Sequence, residues 1–310
     1  TAGLDEMIPA VTLDLQCGSA LESITAAAAK IESGLADLVI AGGFESSSTQ
    51  PVRMWNSNHP DYQEGKSYTV AKFIPDIQGE QVMLEGAEKT ALTENVTKAE
   101  MDPWVLLSHK RAAQAAKEGI LSDIQFSIAD SKKDEGIRPS MSQRLLDRLP
   151  CLLPGGSIIT AANACLMHDG AAFVVLCSEA YRKKHGLTPQ AAFRFGTAIG
   201  SDPFMSPKTA VLAIRKLLKQ TALSIDEIYS LEVNEAFAVI DVLLEREFPG
   251  IRERLNPLGG ALAYGHPYGA SGAIILLHLL KDLELNQGRF GICGVAAAGG
   301  IGTALLVEKV

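Results

Sequence analysis

Three residues combine a reactive type with a backbone setting that suits chemistry: Cys17, Asn234 and His266. Cys17 stands in Gln16-Cys17-Gly18-Ser19, where an alternating run at 11–16, read as a strand, meets a stretch from about Ala20 to Ser33. That stretch is read as a helix with Leu21, Ile24, Ala28 and Ile31 on one face. A thiol there lies at the positive end of the helix dipole, a setting that favours the nucleophilic thiolate. His266 sits in a turn built from Gly259, Gly260, Gly265, Pro267 and Gly269, whose glycines let other groups approach the backbone closely. An imidazole can accept the thiol proton or, once charged, partner the thiolate. Asn234 opens Asn-Glu-Ala-Phe-Ala just after a strand expected at Ile228–Val233. Helix-N-terminal amides, an imidazole and an asparagine can donate to the oxyanion that forms when a thiolate attacks a thioester carbonyl. Each residue alone would be read as packing; together they describe nucleophilic acyl chemistry.

The elements that must position these residues follow an alternating order. After the Cys17 helix, Gly34 stops the chain and Leu38–Ala41 reads as a buried strand ending at Gly42-Gly43. Residues 46 to about 157 are more polar, with one helix expected from Asp102 and Pro103 to Glu118 and a close at Pro154-Gly155-Gly156. Apolar patterning returns from Ser157, with a strand at Ala171–Leu176 and a helix at about Ser178–Lys184. A helix at Thr209–Gln220, the strand at Ile228–Val233 and a helix at Ala236–Glu247 come next. The His266 turn, an apolar helix at Ala270–Leu280, and strands at Phe290–Val295 and Thr303–Val307 complete the pattern. Such alternation means a layered α/β fold. The Cys17 turn, its helix and Gly42-Gly43 are mirrored by the His266 turn, its helix and Gly299-Gly300. Two facing halves would therefore bring both reactive turns together.

Composition bounds the partners. At 310 residues, 47% apolar and 21% charged, the chain has the make-up of a globular protein. A net charge of −8 gives no support for nucleic-acid binding. No apolar run reaches the roughly 18 residues of a membrane span. Five cysteines without framework spacing point to reduced thiols and a cytoplasmic setting, and Cys151 and Cys177 lack partners at metal-ligand spacing. No metal site is expected. His59, His109, His168, His185 and His278 read as surface or packing residues. No Gly-x-Gly-x-x-Gly follows a strand with an acidic residue suitably downstream, which argues against a dinucleotide site.

The segments Gln16-Cys17-Gly18-Ser19-Ala20-Leu21-Glu22-Ser23, Asn234-Glu235-Ala236-Phe237-Ala238 and Gly265-His266-Pro267-Tyr268-Gly269-Ala270-Ser271-Gly272 resemble the signature segments of the thiolases. Thr160–Asn163 and Asp169–Ala172 are similar to further family segments, so the resemblance runs through the whole chain. It implies a duplicated five-layer α-β-α-β-α fold with an inserted loop domain, a homodimer or homotetramer, and acyl transfer on coenzyme A thioesters with no permanently bound cofactor. On that reading 1–47 and 158–188 form the N-terminal half, 48–157 the inserted loop domain and 189–310 the C-terminal half. Cys17 would be acylated, His266 would activate it, and Asn234 would hold a water that completes one oxyanion hole. The backbone amides of Cys17 and Ala298 would form the second hole.

The resemblance is broken in several places. Only sixteen residues precede Cys17, where a thiolase has a further strand–helix–strand region, so the N-terminal half is expected to be incomplete at its start. The second, proton-moving cysteine of the family falls on Ala296, and Cys293 lies at an ordinary strand position. Alanine has no proton to exchange, and general acid–base help is worth roughly 10²–10⁴ in rate. The stretch Ser201–Pro207 is shorter than its counterpart, and Cys165 stands where many members place a coenzyme-A-contacting serine. The leading expectation is an acetyl-CoA acetyltransferase-type enzyme working through acyl-Cys17. The alternatives are an acyl-cysteine enzyme whose second step is hydrolysis or decarboxylating condensation, and a non-catalytic thiolase-like protein that binds acyl-CoA or assembles with a partner.

Overall fold

The computed structural model describes residues 3–70, 72, 73, 79, 81–128 and 133–310. A coil leads into α1 (Ser19–Glu32) and β1 (Leu38–Glu45). The polar stretch that follows carries α2 (Val82–Thr93), α3 (Lys98–Glu118) and the single turn α4 (Gln143–Leu146). Then come β2 (Gly170–Cys177), α5 (Glu179–His185), β3 (Ala191–Gly200), α6 (Thr209–Thr221), β4 (Ile228–Val233) and α7 (Val239–Glu247). The turn α8 (Ala261–Tyr264), α9 (Ser271–Asn286), β5 (Phe290–Ala297) and β6 (Ile301–Lys309) finish the chain.

The strands form two sheets. β1 runs antiparallel to β2, from Leu38 opposite Cys177 to Glu45 opposite Gly170. The larger sheet has the order β3-β6-β5-β4, with β4 and β5 parallel and the other pairs antiparallel. Alternation along β5 sends Cys293, Val295 and Ala297 to one face and Ile292 and Ala296 to the other. The first face packs on α1 and α9, which lie between the two sheets through Leu21, Ile24, Leu276 and Leu279. The second face supports the larger core with Ile214 and Leu217 of α6, Ile240 and Leu244 of α7, and Trp104 of α3. Each fully buried Leu or Ile contributes about 1.5–3 kcal/mol relative to exposure. The outer face of the small sheet is open among the described residues, with Ile40, Phe44, Phe173 and Val175 exposed.

α1 and α9 touch backbone to backbone at their N-terminal ends. A Cβ on Gly272 would come within 2.6 Å of the Leu21 nitrogen. This crossing carries the two reactive turns, one ahead of each helix, to the same region of the molecule.

Several elements depart from the sequence reading. Residues 11–14 form no strand; Leu15 makes one isolated bridge with Cys17, and Val11 is 78% exposed. Alternation alone makes a strand only where a neighbouring edge offers pairing. β3, to which the sequence reading assigned no element, pairs along β6 from Ala191–Lys309 to Gly200–Ile301 with a shift at Phe193/Phe195, so pairing overrides weak local preference. α2 was masked by its polar face. The helix expected at Asp102 starts four residues earlier, at Lys98, as α3, because Thr97 and Glu100 form a reciprocal capping box. Pro103 is accommodated inside α3, and the buried Asp102 carboxylate accepts from Lys98 Nζ (2.7 Å) and Gln143 Nε2 (2.8 Å). α9 runs on to Asn286, past the apolar run that marked it.

Candidate active site

Cys17 is set by a strained turn. Gln16 adopts φ 55°, a left-handed conformation that costs a non-glycine residue roughly 1–3 kcal/mol. The Ser19 hydroxyl holds it there, donating to Gln16 O (2.6 Å) and accepting from Leu15 N (2.9 Å). The Cys17 side chain is 8% exposed. Burial pushes its thiol up to about 12, working against the Ala298 N–H and its own N–H, both aimed at the sulfur. The sequence reading expected the helix end to favour a thiolate. A helix terminus is worth about 0.3–1 kcal/mol, whereas an unpaired charge taken out of water costs far more. The resting group is the neutral thiol.

His266 is 1% exposed. Gly265 precedes it at φ 90°, where a Cβ would collide with the His168 ring at 2.3 Å, so glycine is required both for conformation and for space. The His266 N–H donates to Leu166 O (2.8 Å), which fixes the backbone beside the 163–168 segment. Its ring Nδ1 is 2.6 Å from Ser271 Oγ, and Ser271 Oγ donates to Pro267 O (2.9 Å). A hydroxyl that donates to the carbonyl can only accept from the ring, so the network assigns the proton to Nδ1. Nε2 is then a lone pair and faces Asn234 Nδ2 at 3.2 Å. Burial lowers the imidazole to about 3, so it rests neutral. The Tyr268 ring stands edge-on to it at 4.8 Å.

Asn234 directly follows β4, with its N–H on Gly294 O (3.0 Å). Its side chain is buried, and its Oδ1 has no hydrogen-bond partner. An orphaned buried acceptor costs about 1–3 kcal/mol, and a water or substrate that donates to it recovers that cost. This is the position from which Asn234 can hold a water.

The structure thus brings Cys17, Ala298, His266 and Asn234 to one region, through the α1–α9 crossing and the end of the large sheet. The segment 163–168 threads through the same place. Cys165 N–H donates to Ala236 O (3.0 Å), Ala164 bridges Phe237, and Met167 bridges His266. Ala296 is 5% exposed at the end of β5, opposite Gly302, and belongs to the larger core. Cys293 is fully buried opposite Leu305 in the smaller one, its thiol raised well above the ordinary range by burial. The 3₁₀ stretch Pro203–Lys208 braces the glycine turn: Ser206 Oγ accepts from Gly300 N (3.1 Å) and Ser201 N–H donates to Gly300 O (2.7 Å). Among the other histidines, His168 packs on Gly265 and Gly136, and His278 stands edge-on to Tyr264. Among the described residues no group of three or more His, Cys, Asp or Glu is arranged to hold a metal, and no helix is long and apolar enough to cross a membrane.

Sequence reasoning passed over Ser271, Tyr268 and Glu45. Ser271 lies five residues after His266, a spacing that could have suggested a bond back into the turn. Glu45 accepts from Gly269 N (3.0 Å) across more than two hundred residues, and nothing local announces that contact.

The profile for the thiolase N-terminal domain matches residues 1–180, and that for the thiolase C-terminal domain matches 187–309. The chain is similar to a steroid 3-ketoacyl-CoA thiolase of Mycobacterium tuberculosis, 33% identical over 99% of this chain and 77% of that protein. It is also similar to the 3-oxoadipyl-CoA/3-oxo-5,6-dehydrosuberyl-CoA thiolase of Escherichia coli, 32% identical over 100% of this chain and 82% of that one. The crystal structure of human mitochondrial 3-ketoacyl-CoA thiolase in complex with CoA superposes with a TM-score of 0.90 at 30% identity, covering 99% of this chain and 80% of that one.

Proposed function

The chain belongs to the thiolase family, and from that premise we propose that Cys17 attacks the carbonyl carbon of a coenzyme A thioester and carries the acyl group as a cysteine thioester. The enzyme is an acyl-CoA acyltransferase of the acetyl-CoA acetyltransferase type. The observation that carries the residue assignment is the setting of the Cys17 sulfur, which faces two backbone N–H groups and shares its region with a neutral imidazole whose Nε2 is free of a proton. His266 Nε2 takes the Cys17 proton as the S–C bond forms. The oxygen of the tetrahedral intermediate is met by a water held on Asn234 Oδ1 and by the newly protonated Nε2. His266 then gives the proton to the departing coenzyme A sulfur. The N–H groups of Cys17 and Ala298 afterwards polarise the carbonyl of acyl-Cys17 for the second step. Because thiol and imidazole both rest neutral, the thiolate exists only when these donors and the substrate carbonyl are in place.

This reading places the enzyme in the cytoplasm as a homodimer or homotetramer. Five cysteines without framework spacing support the cytoplasmic setting, and the thiolase resemblance supports the homo-oligomer. Mass spectrometry of the protein incubated with acetyl-CoA tests the chemistry. An added acetyl group on Cys17, absent in Cys17→Ser and strongly reduced in His266→Ala, is expected. An unmodified Cys17 after prolonged incubation refutes it.

A further inference from the structure

We propose that Cys165 is the acid/base of the second half-reaction, moving the proton that Ala296 cannot carry. The inference rests on the acyl-Cys17 reading above. Making a carbon–carbon bond to acyl-Cys17 requires a base for the α-hydrogen of the incoming acyl-CoA. The methyl of Ala296 offers none, and Cys293 is sealed in the smaller core.

Cys165 is held at the site by two hydrogen bonds of its own segment. Its N–H is tied to Ala236 O at 3.0 Å, two residues from Asn234. The adjacent Leu166 carbonyl receives the His266 N–H at 2.8 Å. The thiol is half-buried and packs against the larger core, the cluster to which Ala296 belongs. Burial raises the Cys165 thiol above its ordinary range and Cys17 adds to the rise; burial likewise raises the Tyr268 hydroxyl, with Cys165 and then Cys17 adding to it. The Tyr268 ring stands edge-on to His266 at 4.8 Å. The buried, unpartnered Asn234 Oδ1 at the same place marks a position where a substrate or water donor belongs.

His266 gives its first proton to the departing coenzyme A sulfur and is a neutral base again once Cys17 is acylated. The Cys165 thiol then passes its proton to His266. The Cys165 thiolate then takes the α-hydrogen of the second acyl-CoA. The resulting carbanion attacks the acyl-Cys17 carbonyl, a carbon–carbon bond forms, the carbon–sulfur bond breaks, and the Cys17 sulfur receives the proton from His266. Both thiols and the neutral imidazole are restored, and atoms and charge balance without an external reagent.

Cys165→Ala and Cys165→Ser are compared with wild type in two assays on the full chain. The first is acetyl-Cys17 formation by mass spectrometry, and the second is acetoacetyl-CoA thiolysis and synthesis. Both variants are expected to accumulate acetyl-Cys17 but to lose roughly 10²–10⁴ in thiolysis and synthesis. The double variant Cys165→Ala/Ala296→Cys is expected to recover activity. Full thiolysis by Cys165→Ala overturns the proposal, as does a loss with no recovery in the double variant, which would mark Cys165 as structural. Absence of acetyl-Cys17 in wild type would overturn the acylation reading itself, a result separable from either outcome.

Discussion

Ser271→Ala is the sharpest probe of the imidazole. The hydroxyl is the acceptor for the Nδ1–H of His266 and is itself anchored on Pro267 O, all of it buried. Without it, the ring keeps its tautomer and buries an N–H with no partner, or moves the proton to Nε2 and loses the base that Cys17 needs. Leaving a buried donor unpaired costs about 1–3 kcal/mol. If that cost falls on the population of the competent tautomer, acylation slows by about 5- to 150-fold, at about tenfold per 1.4 kcal/mol. The assay is the rate of acetyl incorporation at Cys17, followed by quenching at timed intervals and weighing the intact protein. A circular-dichroism melt beside it separates local from global damage. Acylation by Ser271→Ala at the wild-type rate would show that Ser271 does not set the tautomer, and the proton assignment on His266 would fall with it.

Gly272→Ala should destabilise the protein by about 1–3 kcal/mol, since its Cβ would lie 2.6 Å from the Leu21 nitrogen and 2.9 Å from Leu21 Cγ; a denaturant midpoint equal to wild type would refute the backbone contact of α1 with α9. Glu88→Gln should cost about 1–3 kcal/mol, measured by urea titration. Burial works to raise the Glu88 carboxyl, but the N–H groups of Ser157 (2.6 Å), Ile159 (2.9 Å) and Ile158 (3.1 Å) outweigh it and hold the group below its ordinary range. Its contribution is therefore present above the unfolded carboxyl range and fades as pH falls through the lower folded value, so the variant should lose less stability on acidification. His278 is lowered by burial to about 4, so only the unfolded chain takes up a proton below about 6.5. Its neutral form stabilises the fold above that value, and at pH 5 about 2 kcal/mol is lost. His278→Gln should shrink the stability difference between pH 7 and pH 5 by that amount, and an unchanged difference would contradict a buried neutral ring.

The sequence by itself determined the chemistry-bearing types and the turns that hold them. Cys17 before a periodic helix, Asn234 after a short strand and His266 among glycines are local patterns, and local backbone preference fixes them. The strand at Ile228–Val233 was legible to the residue. Tertiary structure decided what those residues are. Whether Cys17 rests as thiol or thiolate depends on how much water the two sheets exclude, which no neighbour in the chain reports. β3 exists because β6 offers an edge, and residues 11–14 remain coil because no edge meets them. Cys165 stands on Ala236, and Glu45 on Gly269, through contacts between segments far apart in the chain. Periodicity and turn chemistry act over a few residues and can be read in order along a chain. Desolvation and strand pairing act across space, and they take their values only once the core has closed.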